Sequence, residues 1–507
     1  MSLAIDRLRK MAVTYELYWL ILCLIVASCL RLFWLEAQSL WADEGAQHFI
    51  ASAPTLDVFW ERYEQRTFHP PLSFLISHVF LRLHHSDFFL RLPSVLFGVG
   101  SLVLAYGLVR KLTSVAVALV AVWVMAISPL HIWYSQEARM YAPLVFIALL
   151  STLTFLWAVE TRRWYGWGVY AGTLALGLYL HVFIVLQIMV HGIWLLFWYR
   201  HAWWPYCCAG LVSAALAFPI VYPWIHLVLR RVTPGLVEGV VIASKSREII
   251  GWEGLFYALY AYGAGFSLGP SLTALHNDRS LASLISHLPA IAVVALVFGT
   301  LLIVGLYGLG RWWSWGLAGQ CLIAFAGPIV GAALLTSISS FSFNVRYTIM
   351  GFPFFCLLLG VAIIFLGRHR VWLGGAALLA FTLVSSWSLF NYYGLPDYGR
   401  NNLRAAVAYW RAASDATDLV TVAGAHGVRD VVVRYLTPAE QHRHTWLGGR
   451  NAVDRLRQFL ETREGHSVYL LFARDWKQRR EAAVRNAFAV HYEKTFAGVK
   501  LLKIAQK

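Results

Sequence analysis

Two adjacent carboxylates, Asp43 and Glu44, follow the first apolar run in the stretch Ser39-Leu40-Trp41-Ala42-Asp43-Glu44-Gly45. At the edge of a bilayer the low dielectric disfavours a charged carboxyl and raises its basicity. A carboxylate there can take a proton from an attacking hydroxyl, or hold a metal that does so. The same dipeptide also reads as the acidic first turn of a helix behind its N-cap. Phe68-His69-Pro70-Pro71-Leu72 places an imidazole at a helix start, where the missing proline amide protons cost nothing. Arg91-Leu92-Pro93-Ser94, at the start of the second apolar run, needs an anionic partner if that end faces outward. Trp133-Tyr134-Ser135-Gln136-Glu137-Ala138-Arg139-Met140-Tyr141 spans a short gap whose side chains all stay close to the bilayer surface, so Glu137, Arg139 and Tyr141 can point back toward Asp43 or form an ordinary interfacial belt with a surface ion pair. His181 closes the fifth run, and Asn344-Val345-Arg346-Tyr347 precedes the tenth.

The elements that must position these residues are apolar. The 507 residues are 59% hydrophobic and only 13% charged, and the mean hydropathy of +0.60 excludes a water-soluble globular protein. A crossing needs about 20 apolar residues. Eleven runs of roughly that length are expected as spans: 17–35, 92–109, 113–130, 140–159, 165–180, 183–199, 204–223, 286–308, 314–336, 348–366 and 371–389. With the N-terminus inside, the inward gaps hold Arg110-Lys111, Arg162-Arg163, Arg200-His201, Arg311 and Arg368-His369-Arg370, the positive-inside pattern. The outward gaps, including the long ones at 36–91 and 224–285, then contain the chemical residues named above apart from Tyr141, which sits at the outer end of the run 140–159. Two short apolar stretches, Leu72–Leu83 and Leu255–Leu268, are expected to be interfacial or re-entrant.

Net charge is +16, and about half of the excess lies in residues 391–507, with 19 Lys/Arg against 11 Asp/Glu. The rest lies in the gaps, which suits topology signals and anionic lipid and gives no nucleic-acid reading. All six cysteines lie in apolar runs, so no disulfide framework is implied. No cleavage site follows the first run, which is expected to be a retained span. The expected fold class is an all-α polytopic membrane domain over 1–390 followed by a C-terminal α/β domain outside the membrane over 391–507. In that domain Asp418–Gly424 and Ser467–Arg474 read as strands, and Asn402–Ala413 and Asp454–Thr462 as amphipathic helices.

Ionisable residues are nearly absent from the middle of the runs, His191 being the main exception. A transporter or pump places such residues at the bilayer midplane, whereas here they gather at the outer ends. The series Asp-Glu after the first run, His-Pro-Pro-Leu, Arg-Leu-Pro-Ser, Ser-Gln-Glu-Ala-Arg-Met-Tyr and a late Arg-Tyr resembles the C-type (GT-C) membrane glycosyltransferases over about residues 20–390. The pattern is most like that of bacterial dolichyl-phosphate-mannose protein mannosyltransferase-like proteins and the lipid A aminoarabinose transferases. The resemblance implies an outward active site in a bacterial inner membrane, a polyprenyl-phosphate sugar as donor, Asp43 as the base with Glu44 beside it, and outer arginines on the donor phosphate. Glu137 departs from the pattern, since many relatives carry an aspartate in that region. The eukaryotic β-trefoil insertion is lacking.

On this reading the enzyme moves a hexosyl or pentosyl group, with inversion, to an acceptor hydroxyl on a glycan, lipid or protein. A phosphate ester leaves without a general acid, so one carboxylate base suffices. Arg346, then Arg139, then Arg91 are the candidates to bind the phosphate. His69, Tyr134, Glu137, Tyr141, His181 and Tyr347 are the candidates to line the substrate site. A divalent ion between Asp43, Glu44, His69 and Glu137 remains open, because no spacing is diagnostic. Arg230, Arg231, Lys245 and Arg247 make 224–285 either a mobile cover or a surface loop. The rival reading is a lipid-linked sugar flippase or transporter.

Overall fold

The computed structural model describes all residues except 1, 68, 247–251, 272–273, 275–284, 338–342, 416–417, 424–425, 447–453, 455, 459–467, 474–478 and 506–507. Every expected apolar run falls on a helix. The first is α1 (Ser2–Leu32), followed by three short helices, α2 (Ala42–Ala51), α3 (Leu56–Arg66) and α4 (Leu72–Leu83), and then by α5 (Asp87–Leu112). Next come α6 (Val115–Ile127), α7 (Pro129–Ser135), α8 (Tyr141–Thr161), α9 (Trp164–Leu180), α10 (Ile184–Phe197), α11 (Trp203–Ser246) and α12 (Trp252–Ala264). The last apolar helices are α13 (Leu288–Trp312), α14 (Trp315–Ser337), α15 (Phe352–His369) and α16 (Val371–Gly394). Among the described residues seven helices are long and apolar enough to cross a bilayer: α1, α5, α8, α13, α14, α15 and α16.

The other four expected spans differ in instructive ways. The run 113–130 is not one helix: α6 and α7 meet at a 61° bend. Pro129 has no amide proton to continue α6, and extended Ser128 restarts the chain by accepting from His131 N at 3.4 Å. The carbonyls of Met125 and Ala126 that this break leaves open are taken by the guanidinium of Arg31, at 3.2 and 2.9 Å, which also meets His131 Nδ1 at 2.7 Å. That explains how a fully buried arginine is tolerated on the first span. Helices α9 and α10, of 17 and 14 residues, part where the chain is extended at His181. Helix α11 continues to Ser246 for 44 residues, so the expected outward gap from 224 opens as helix. Arg230, Arg231, Lys245 and Arg247 lie outside the described side chains. His191 is not free inside the bundle, for Tyr170 Oη and Gln187 Nε2 each lie 2.9 Å from its ring nitrogens.

The C-terminal part is mixed α and β, as its composition predicts. It contains α17 (Leu403–Ala413), β1 (Leu419–Ala423), α18 (His426–Tyr435), the single turn α19 (Pro438–Gln441), β2 (His444–Trp446), β3 (Val468–Ala473), α20 (Arg479–Ala487), β4 (Ala489–Phe496) and β5 (Val499–Ala505). The sheet order is β2-β1-β3-β5-β4, with β1 parallel to both β2 and β3 and the β3–β5–β4 side antiparallel. The helix expected at Asp454–Thr462 lies largely outside the described residues.

This part is docked on the segment between α1 and α5. Helix α18 packs along α2, and glycines make that possible: a Cβ on Gly427 would run into the carbonyl of Ala42, and one on Gly45 into Gly427 and Val431. The pairing of Ala42 with Gly427 and of Gly45 with Val431 means that the two helices run parallel, N-terminus beside N-terminus. Around them Asp87 accepts from Arg404 Nη2 at 2.8 Å and Tyr435 Oη at 2.9 Å, and Arg66 Nη2 meets Asp430 Oδ1 at 3.0 Å.

Candidate active site

Helix α2 sets the two carboxylates apart. Successive residues on a helix diverge by about 100°, so Asp43 and Glu44 cannot face the same way. Glu44 turns inward and is fully buried. It accepts from Arg91 Nε at 2.8 Å and Nη2 at 2.7 Å, from Ala138 N at 2.8 Å, and from Trp41 N at 3.3 Å as part of the helix cap. Arg400 Nη1 forms a further ion pair with it at 2.8 Å. Burial alone would push this carboxyl up, but Arg400 and Arg91 outweigh it and hold the group down at about 2. Arg91 in turn donates to the carbonyls of Leu35, Gln38 and Ser39 at 2.7, 2.9 and 3.1 Å. Its guanidinium is thus committed to Glu44 and to the turn that leads into α2, with its side chain 1% exposed.

Asp43 turns the other way. Its Oδ2 meets Arg346 Nη1 at 3.1 Å, and both side chains keep roughly a quarter of their surface accessible, 25% and 22%. Arg346 lies 5.5 Å from the ring centroids of both Tyr141 and Tyr347. Burial would lower its pKa, but Tyr141 and Asp43 outweigh that and keep it charged. His181 sits 6.1 Å from Tyr141, 6.2 Å from Tyr347 and 5.6 Å from His69. Tyr134 packs edge-on to Tyr141 at 5.2 Å.

The two histidines are kept neutral. Burial, then the charges of Arg139 and Arg346, pushes His181 down to about 3; burial and Arg139 push His69 well below the ordinary imidazole value. His181 Nδ1 accepts from Phe183 N at 3.1 Å, so the proton belongs on Nε2, which has no partner among the described residues. Glu137 is buried, and neither of its carboxyl oxygens has a hydrogen-bond partner among the described residues. Burial raises it to about 7 against the opposing pull of Arg400. Arg139 borders a small cavity lined by Gln47, Ser73, Ile76, Ser77, Pro93, Ser94 and Pro143.

The structure therefore brings Asp43, His69, Tyr134, Glu137, Arg139, Tyr141, His181, Arg346 and Tyr347 into one neighbourhood, and sets Glu44 and Arg91 behind it as a buried pair. Among the described residues no three His, Cys, Asp or Glu side chains converge as metal ligands. In particular Glu44, one of the four considered, is already occupied by two guanidinium groups. Arg400 is the residue the sequence did not announce. It lies beyond the last apolar run, yet its side chain is 1% exposed, and its guanidinium sits 5.4 Å from the Trp133 ring centroid.

Residues 68–226 match the family model of dolichyl-phosphate-mannose-protein mannosyltransferases. No curated protein sequence matches the chain. The fold is similar to that of ArnT from Cupriavidus metallidurans, in the apo state with a TM-score of 0.60 at 14% identity, covering 96% of this chain and 97% of that one. The same protein bound to undecaprenyl phosphate gives 0.56 at 14% identity over 96% and 98%. The archaeal oligosaccharyltransferase AglB from Archaeoglobus fulgidus, in complex with an inhibitory peptide and a dolichol-phosphate, gives 0.52 at 12% identity over 90% and 69%. The family match over 68–226 and a fold shared along nearly the whole chain bear out the resemblance to the C-type membrane glycosyltransferases.

Proposed function

We propose that the chain transfers a sugar from a polyprenyl-phosphate donor to an acceptor hydroxyl at the outer face of a bacterial inner membrane. The N-terminus is inside and residues 391–507 are outside. The observation that carries this reading is the accessible Asp43–Arg346 pair at 3.1 Å, a base and a phosphate-binding cation side by side at the ends of apolar helices. The relatives in fold that hold undecaprenyl phosphate and dolichol-phosphate support the donor class.

Asp43 takes the proton of the acceptor hydroxyl as its oxygen attacks the anomeric carbon. The bond from that carbon to the phosphate oxygen breaks, inversion follows from the single displacement, and polyprenyl phosphate leaves with the negative charge. Arg346, with Arg139, binds that charge by charge-assisted hydrogen bonds in surroundings poorer in water than bulk solution. Before donor binds, Arg346 is paired with Asp43. An arriving phosphate competes for the guanidinium and leaves the carboxylate for the acceptor. Neutral His69 and His181, with Tyr141 and Tyr347, offer rings and a hydrogen-bond donor to the sugar. We assign Glu44 and Arg91 to bracing α2 and the turn before it, so that Asp43 is fixed in direction.

The test is transfer by the purified chain in proteoliposomes loaded with polyprenyl-phosphate sugar, read by mass spectrometry of the lipid and glycan products. Release of polyprenyl phosphate coupled to glycosylated acceptor supports the reading. Translocation of the intact lipid-linked sugar without release supports a flippase instead.

A further inference from the structure

We infer that the docked C-terminal part carries a second binding site, for a glycan bearing a carboxylate or phosphate group, on the α18–β2 edge beside the active site. This inference rests on the proposed transfer only in naming the bound glycan as the acceptor.

Strand pairing defines the edge. His444 and Trp446 of β2 stand opposite Val420 and Val422 of β1, and the two valines share a core with Val428 and Val432 of α18. Side chains of paired residues point to the same face, so His444 and Trp446 lie on the α18 side of the sheet. There the ring of Trp446 stacks on that of His426 at 4.1 Å and 33°, and His426 is exposed. An indole and an imidazole at the surface make a platform of the kind on which sugar rings stack.

The charges beside that platform are unbalanced. Arg429 projects from α18, and from α3 come Arg62 and Arg66, whose guanidinium carbons lie 4.7 and 4.6 Å from the Phe49 ring centroid. Arg66 and Arg429 both act on His426, and all three arginines act on Asp430. Asp430 is held by Arg66 at 3.0 Å, and Arg62 donates to Phe49 O at 2.8 Å and lies near Glu61, so three guanidinium groups stand against two carboxylates and Arg429 is left as the surplus cation. Three atoms of the cluster, Arg429 Nε, His444 Nε2 and Asp430 Oδ2, are buried without a hydrogen-bond partner among the described residues. A buried guanidinium N–H left open is costly, and an anionic oxygen at Arg429 answers both that donor and its surplus charge.

The place fits as well. The edge lies at the carboxyl ends of parallel strands β1 and β2, where α/β sheets bind ligands. Gly427, next to His426, touches Ala42, next to Asp43. A glycan chain held on this platform is therefore close enough to present a neighbouring hydroxyl to the base.

The experiment uses the full chain in phosphatidylcholine nanodiscs and ligand-observed saturation-transfer NMR with glucuronate, glucose 6-phosphate and glucose as probes. The two anionic sugars should bind, glucose much more weakly, and Arg429→Gln and Arg62→Gln should each lower affinity for the anions about tenfold. Asp43→Asn and Arg346→Ala should leave that binding in place. Binding lost in Arg346→Ala but kept in Arg429→Gln would mean that the probes read the donor pocket, and would overturn the proposal. So would equal binding of glucose, no binding at all, or displacement of the sugars when phosphatidylglycerol replaces part of the phosphatidylcholine, which would assign the cluster to lipid headgroups. Because the readout is binding, its failure is separate from any failure to detect transfer.

Discussion

Arg400 reaches Glu44 at 2.8 Å, joining the C-terminal part to the residue beside the expected base, with both side chains essentially buried. Such a pair is worth little relative to an apolar replacement of both partners, but removing Arg400 leaves the buried Glu44 with Arg91 as its one remaining guanidinium partner and costs up to about 3–5 kcal/mol. Arg400→Met should therefore lower the thermal unfolding temperature of the detergent-solubilised protein sharply and expose the α2–α18 contact to protease. Glu44→Gln should be at least as damaging, because it leaves both Arg91 and Arg400 short of their partner. If Arg400→Met unfolds at the wild-type temperature, the pair does not anchor the two parts.

Asp43 is the complementary case. It is partly accessible and its neighbour Arg346 is also open to water, so replacing its carboxylate disturbs the fold little. Asp43→Asn should keep the unfolding temperature and the binding of polyprenyl phosphate while lowering kcat by at least a hundredfold, the usual contribution of a general base. Asp43→Glu should recover a small part of the rate. A variant with near-normal turnover would remove Asp43 from the mechanism.

The sequence shows why these two neighbours are easily confused. A carboxylate dipeptide after a span announces that one residue faces a site, but not which, since the helix phase of α2 depends on a cap whose acceptor is Glu44 itself. The apolar runs are legible because lipid imposes one long, simple pattern. The strands at 419–423 and 468–473 are legible because they are short apolar runs in a polar tail. The break between α6 and α7 is marked by Ser128-Pro129, yet a hydropathy reading runs across it. Arg400 and Arg31 are not legible at all. Each is satisfied by groups distant in the chain, Glu44 and the carbonyls at 125 and 126, and no local spacing encodes that.

Arg346 stands between Asp43 and the rings of Tyr141 and Tyr347, so on the proposed mechanism its removal should separate donor binding from chemistry. Arg346→Ala should raise the KM for polyprenyl-phosphate sugar and lower kcat as well, because the charge it meets grows as the phosphate leaves. Arg346→Lys keeps a point charge but not the planar fork, and should recover KM more than kcat. Steady-state kinetics with the donor varied at saturating acceptor would show this. Loss of both variants' stability without a kinetic change would assign Arg346 to the fold alone.

Glu137 supplies a prediction whose sign follows from its environment. Burial lifts its carboxyl from the ordinary 4.5 to about 7, against the pull of Arg400. Between those values the folded chain holds a proton that the unfolded chain has released, so this group's contribution to stability is complete below about 4.5 and is lost as pH rises through about 7. Glu137→Gln stays neutral throughout and should remove that slope: the variant should gain on the wild type as the pH is raised across this window. Glu44, held down at about 2, acts in the opposite sense and only below its ordinary value of 4.5, so the two effects do not overlap. Unfolding temperatures of both proteins measured from pH 5 to pH 8 would decide the matter, with parallel curves showing that Glu137 is ionised as an ordinary carboxylate.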